Sequence, residues 1–82
     1  MKLFAIRDTK VEAFLYPFTA RTVGQAVRMT SDLVNQKGHQ FNEHAEDYSL
    51  FEVGTFDEST AVITSDVRVV GPLVNYRIGG QA

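Results

Sequence analysis

Thr22-Val23-Gly24-Gln25-Ala26-Val27-Arg28-Met29-Thr30-Ser31-Asp32-Leu33-Val34-Asn35-Gln36-Lys37-Gly38 decides the fold, because its apolar residues recur with a helical period whereas the rest of the chain is strand-like. Thr22 and Gln25 have the spacing of a capping box: the Thr22 hydroxyl accepts from the N–H of Gln25, and Gln25 reaches back to the N–H of residue 22. Val23, Ala26, Val27, Thr30, Leu33 and Val34 then form one stripe, with Met29 at its margin and Gln25, Arg28, Ser31 and Asp32 opposite. Gly38 suits a left-handed terminator, and Lys37 complements the negative end of the helix dipole. The expected helix runs from Thr22 to near Gln36, its stripe made to cover a sheet.

Upstream, Lys2 to Arg7 reads as a strand with Phe4 and Ile6 on one side and Leu3 and Ala5 on the other. Asp8-Thr9-Lys10 turns the chain into a second strand, Val11 to Tyr16, in which Val11, Ala13 and Leu15 oppose Glu12, Phe14 and Tyr16. Pro17 is expected to end that strand for want of an N–H. Downstream, His39 to Asp47 is a polar, acidic loop anchored by Phe41. Tyr48 to Phe56 is a strand, and Asp57-Glu58-Ser59-Thr60 turns it into Ala61 to Thr64. Val67 to Val70 and Leu73 to Ile78 supply a further strand, broken at Gly71-Pro72. The fold class is α+β: a small antiparallel β-sheet packed on one α-helix, in the order β-β-α-β-β with an additional C-terminal strand. Residues 1–78 make a single domain, and Gly79 to Ala82 a flexible tail.

A chain of 82 residues encloses one core, and 44% hydrophobic with 22% charged residues is a globular composition. The absence of cysteine removes disulfides, thiolate nucleophiles and Cys-type zinc sites, and fits a reducing compartment. Met1 to Asp8 meets charge too early for a signal-peptide core or a membrane span, so the first residues belong to the fold. Net charge is −2, unevenly distributed: residues 1–37 carry +3, residues 38–67 carry −7 without a Lys or Arg, and the remainder +2. Either the folded protein has a basic and an acidic face, or sheet pairing interleaves the segments and cancels them; the second reading is slightly favoured.

One helix covers one sheet face, yet both sides of the first two strands are apolar. A second copy of the chain is the simplest cover for the other face, so a homo-oligomer, most simply a dimer, is expected. The alternative is a sheet that curls until its C-terminal strands cover that face.

Chemistry-bearing residues are sparse. His39, His44, Glu43, Glu46 and Asp47 alone resemble a metal set, but two histidines five apart in a loop match no ligand signature, and no metal or cofactor is expected. Ser49 and His44 have no sequence relation that marks a nucleophile and base, and the carboxylate pairs sit in loops and turns, so no catalytic residue is assigned. Gly24 behind Arg21 admits a phosphate at the helix start, although capping explains it better. For single-stranded nucleic acid the candidate residues are Lys10, Arg21 and Arg28 on phosphates, with Phe14 and Tyr16 stacking on bases. Against that stand a pI near 5.5 and the absence of a Lys/Arg cluster. Leu3-Phe4-Ala5-Ile6 loosely echoes the first strand of the RNA-recognition motif, but the hairpin stands where that fold places its first helix.

Lys10 to Ala20, Gly24 to Arg28 and His44 to Asp57 together resemble the small nonstructural protein of gokushovirus-like microviruses, bacteriophages with circular single-stranded DNA genomes. The similarity spans roughly residues 1–60, and the family pattern has proline where this chain has Ala45. The resemblance implies a phage accessory protein made in the host bacterial cytoplasm, outside the virion, linked to single-stranded DNA synthesis or packaging. Two functions follow as expectations: single-stranded DNA binding through the five residues above, or a homodimeric module that modulates a phage replication or host protein through its sheet face or acidic loop.

Overall fold

The computed structural model describes residues 1–78; the tail expected over residues 79–82 lies outside them. The sheet comprises β1 (Lys2–Asp8), β2 (Ala13–Phe14), β3 (Phe18–Ala20), β4 (Tyr48–Phe56) and β5 (Ile63–Pro72), and the main helix is α1 (Val23–Val34). All pairings are antiparallel. β1 lies inside the sheet with β4 on one side and β2 and β3, end to end, on the other, while β5 is the far edge. The chain is therefore α+β, with one main helix on one sheet.

α1 begins as its sequence dictates: Thr22 Oγ1 accepts from the Gln25 N–H at 3.1 Å. The return contact falls one residue earlier than expected, from the Arg21 N–H to Gln25 Oε1 at 2.7 Å. The helix stops at Val34 with Asn35 as cap, two residues short of Gln36. Gly38 does adopt a left-handed φ of 89°, serving the bend into the next turn of helix.

Ala26, Thr30 and Val34 of α1 bury against Phe4, Ile6 and Leu50. The register sets Phe4 opposite Glu52, Ile6 opposite Leu50 and Asp8 opposite Tyr48, so the helix-facing residues of β1 and β4 alternate with an outer set that includes Leu3, Ala5 and Phe51. Phe41 is the anchor expected of the 39–47 segment, buried with its ring 4.7 Å from that of Tyr48. That segment is not irregular, however: Gln40–Glu43 form a short helix α2, capped by His39 Nδ1, and Ala45–Asp47 a 3-10 turn. The buried Phe41 and Ala45 supply the apolar positions that fold it back.

Three expectations about strands need correction. Val11 and Glu12 belong to the β1–β2 turn, Glu12 having φ of 57°, so β2 is reduced to Ala13–Phe14. Pro17 interrupts the edge without ending it. Phe14 pairs with Arg7 and Phe18 with Phe4, a one-residue slip that lets pairing resume as β3. Residues 63–72 form one bulged strand, and among the described residues no additional C-terminal strand follows it: Leu73–Tyr76 is a 3-10 turn. Pro72 has no N–H for a ladder, and Leu73 drops fully buried into the helix-side core. The Tyr76 carbonyl then accepts from Ser31 Oγ (3.1 Å) and Asn35 Nδ2 (2.9 Å), which ties the segment to α1. The end of the described chain thus packs on the side the helix already covers, and the sheet does not curl over its outer face.

Both strand hairpins use one device. Asp8 Oδ1 accepts from the Lys10 N–H, Asp57 Oδ1 accepts from the Ser59 N–H, and four residues after each aspartate Glu12 and Ala61 take left-handed φ values of 57° and 64°. In β4, Gly54 is required by close approach: a Cβ there would lie 2.1 Å from the Thr64 carbonyl oxygen, a backbone atom of β5. Gly54→Ala should therefore destabilise by about 1–3 kcal/mol, lowering the melting temperature by at least about 5 °C in a domain of this size. A thermal melt of Gly54→Ala that overlays the parent would contradict this packing.

Candidate functional site

The two sides of the sheet present different surfaces. On the outer face a groove of about 410 Å³ is floored by Leu3, Ala5 and Val53 and walled by Phe14, Ile63 and Val67. Ile63, Val67 and Val69 of β5 are all more than half exposed. Phe14 meets Phe51 edge-on with centroids 5.1 Å apart, and the Arg7 guanidinium stands 6.0 Å over the Phe14 ring. On the helix side, between α1 and the break in the β2–β3 edge, lies a cleft of about 400 Å³ with Ile6, Phe18, Leu33 and Phe41 in its lining. Tyr16 and Thr30 also line it.

The five residues selected for nucleic acid do not form one surface. Lys10 and Arg21 flank opposite ends of β1, whose seven residues span about 20 Å. Lys10 Nζ lies 3.9 Å from Asp47 and Arg21 3.7 Å from Glu58. Arg28 is exposed on α1 and has no ion pair among the described residues. Phe14 and Tyr16, expected on one side of a strand, part company because the slip at residues 15–17 turns the chain: Phe14 lines the outer groove and Tyr16 the helix-side cleft.

The charge segments interleave as the favoured reading held. Lys2–Glu52 (3.3 Å), Lys10–Asp47 and Arg21–Glu58 each join a base of residues 1–37 to an acid of residues 38–67. Arg21–Glu58, exposed on both sides, contributes little to stability, whereas the Glu52 carboxylate is buried and has Lys2 as its partner.

His44, Glu46 and Asp47 bring ligand-type atoms within 4.8 Å of one another, all at least partly exposed. His39 is not among them, because its Nδ1 accepts from the Phe41 N–H at 3.0 Å. Asp47 also faces Lys10. Nothing further in the structure points to a cation there. No helix among the described residues is long and apolar enough to cross a membrane.

Several site-forming residues gave no signal in the sequence. Arg7 was an ordinary strand-end base until β2 set Phe14 beside it. Thr30 is buried at 1% exposure as its place in the helix stripe implies, but no local pattern signals that its hydroxyl has no hydrogen-bond partner among the described residues. Asn42 spans two elements: its Nδ2 donates to the Val34 carbonyl (2.8 Å), and its carbonyl accepts from Arg77 (2.6 Å).

Fold and surface define an α+β domain with one main helix, an open apolar sheet face and a separate apolar cleft. The chain belongs to the Phage ORF5 protein family, whose model matches residues 1–74. It is thus a phage protein. No curated protein and no solved structure matches at a significant level.

Tyr48 provides a titration test of the core beneath this surface. Burial, with Asp8 and Asp47 nearby, raises its phenol above the ordinary value of 10.0. The unfolded chain therefore releases this proton first, and stability is full below the ordinary value and lost as pH rises through the folded one. Tyr48→Phe should flatten the fall in melting temperature above pH ~10. An alkaline slope equal to that of the parent would show that Tyr48 does not supply it.

Proposed function

We propose that this member of the Phage ORF5 protein family is a non-catalytic accessory protein of a gokushovirus-like microvirus. It acts in the host bacterial cytoplasm as a homodimeric interaction module whose open sheet face engages a phage replication or host protein. The observation that carries this reading is the outer groove, in which exposed Ile63 and Val67 and half-buried Leu3 and Val53 present aliphatic surface that α1 and the C-terminal segment leave uncovered. Contiguous apolar surface of this kind marks association sites, and burial of each large side chain contributes on the order of 1.5–3 kcal/mol. The reading needs no cofactor and no metal.

Affinity capture from phage-infected cells tests it. The parent chain should retain a phage or host protein in fixed ratio, and Val53→Asp and Val67→Asp, which place a carboxylate in the groove, should lose it. Capture that returns only the chain itself would count decisively against an external partner.

A second reading, direct binding of single-stranded DNA in support of genome replication or packaging, is favoured by one cluster. Arg7, Phe14 and Phe51 offer a cation beside two rings, and Arg28 is exposed on α1. Opposing it, Lys10 and Arg21 already face carboxylates and the surrounding groove is aliphatic. A fluorescence titration with oligodeoxythymidylate decides. The DNA reading requires binding at low salt that weakens as salt rises, and a loss of about tenfold or more in Phe14→Ala. It also requires a loss in the Arg21→Ala/Arg28→Ala double variant. No binding at low salt would end this reading.

A further inference from the structure

The two edges of the sheet differ in how well they are protected. One is made of β2 and β3, two and three residues long with Pro17 between them, a form that blunts an edge against pairing. The other is β5, which is ten residues long, has β4 on one side only and is exposed without interruption from Ile63 to Val69. It holds no lysine, and its proline comes at the last position, Pro72. Its side chains alternate despite the register shifts against β4. Ile63, Ser65 and Val67 line the outer groove and Val69 stands opposite Phe51, whereas Arg68 stands opposite Glu52 on the helix side and donates to Asp66 at 2.6 Å.

We propose that two copies of the chain dimerise by antiparallel pairing of β5 with β5, about a two-fold axis that passes through Val67 perpendicular to the sheet. The charge pattern selects both the partner and the register. Such an axis sets the outer face of one copy beside the outer face of the other, so every residue must meet one of the same face, and a one-residue slip is excluded. With Val67 opposite Val67, Asp66 of each copy faces Arg68 of the other. A slip of two residues in either direction would instead set Asp66 against Asp66 or Arg68 against Arg68 on the axis, like charges directly opposed. The edge is therefore complementary to itself in one register and repulsive in the two beside it. Directly opposed Cβ atoms lie about 5 Å apart, against about 7 Å for residues two apart on one strand, so the charge on the second copy comes nearer than the one within the chain. The pairing also gives the edge backbone N–H and C=O groups hydrogen-bond partners.

This inference rests on the self-association in the preceding reading and identifies its contact. It moves the dimer contact away from the outer sheet face, where a second copy was first expected, to the edge of the sheet. The two sheets then join side by side, and the outer grooves of both copies lie on one continuous surface that stays open to the external partner.

Sedimentation equilibrium on the full chain tests it, with Asp66→Arg, Arg68→Asp, an equimolar mixture of the two, and Val53→Asp. The parent should be dimeric. Asp66→Arg leaves only guanidiniums facing one another across the axis and Arg68→Asp only carboxylates, so each variant alone should dimerise about tenfold or more weakly. Their mixture should recover the dimer, because the basic edge of one variant then meets the acidic edge of the other. Added salt should strengthen the Asp66→Arg dimer by screening its repulsion, a readout independent of Arg68→Asp, which also sets a carboxylate opposite Glu52. Val53→Asp, one strand in from the edge, should leave the dimer unchanged. Unchanged association in Asp66→Arg, a loss that salt does not reverse, or a mixture of the folded variants no more dimeric than its components would each overturn the edge pairing. A dimer indifferent to both charge variants but dissociated by Val53→Asp would place the contact on the sheet face, overturning the edge pairing while self-association stands. A parent chain that is monomeric throughout would overturn both, and capture by the outer groove would remain a separate question answered by the infected-cell experiment.

Discussion

Burial of the α1 stripe, Ala26, Thr30 and Val34, against Phe4, Ile6 and Leu50 is the contact on which the remaining structure depends. A single helix of twelve residues can cover only one face of this sheet. The short α2, the 3-10 turn that delivers Leu73, and the Ser31 and Asn35 bonds to the Tyr76 carbonyl all add to that same side. These supporting elements thus deepen one core and leave Ile63, Val67 and Val69 of β5 in solvent. The asymmetry is the physical ground of the proposed association, because exposed aliphatic surface gains free energy when another surface removes it from water.

Within that frame the break at Leu15-Tyr16-Pro17 has consequences on both sides of the sheet. The one-residue slip between the Arg7–Phe14 and Phe4–Phe18 pairs sends Phe14 to the outer groove and Tyr16 to the cleft beside α1. It divides what would have been one aromatic row between two surfaces of different character. The outer one combines rings with Arg7 and aliphatic side chains, whereas the inner one combines an exposed phenol with an unpartnered buried hydroxyl. A regular strand through residues 11–16 would have produced neither arrangement.

Electrostatics follow topology. Antiparallel pairing of β1 with β4 brings Lys2 to Glu52, and the turns at the two ends of the sheet bring Lys10 to Asp47 and Arg21 to Glu58. Bases near the start of the chain therefore meet the acidic middle, which sets carboxylates beside Lys2, Lys10 and Arg21. A nucleic-acid role would have to draw on local stacking beside Arg7.

The sequence by itself determined the elements whose signals are local: the capped start of α1 at Thr22, the burial of Ala26, Thr30 and Val34 from its stripe though not of Val23, the left-handed φ of Gly38 though not its place as the helix terminator, β1, β4, and the anchoring of the acidic segment by Phe41. Each rests on spacing within a few residues, and each survives in the fold. Only the tertiary structure decided how far β5 runs, whether Leu73 extends the sheet or plugs the core, which face Tyr16 joins, and that Thr30 ends without a hydrogen bond. Those outcomes turn on a slipped register, on a proline that leaves a ladder, and on carbonyls such as that of Tyr76 captured by α1. Such contacts join residues from seven (Arg7 with Phe14) to 45 (Ser31 with Tyr76) positions apart on different elements, so the spacing within any one element does not encode them. The α+β class was legible because periodicity is local; the two candidate surfaces were not, because each is assembled from elements that meet only when the chain has folded.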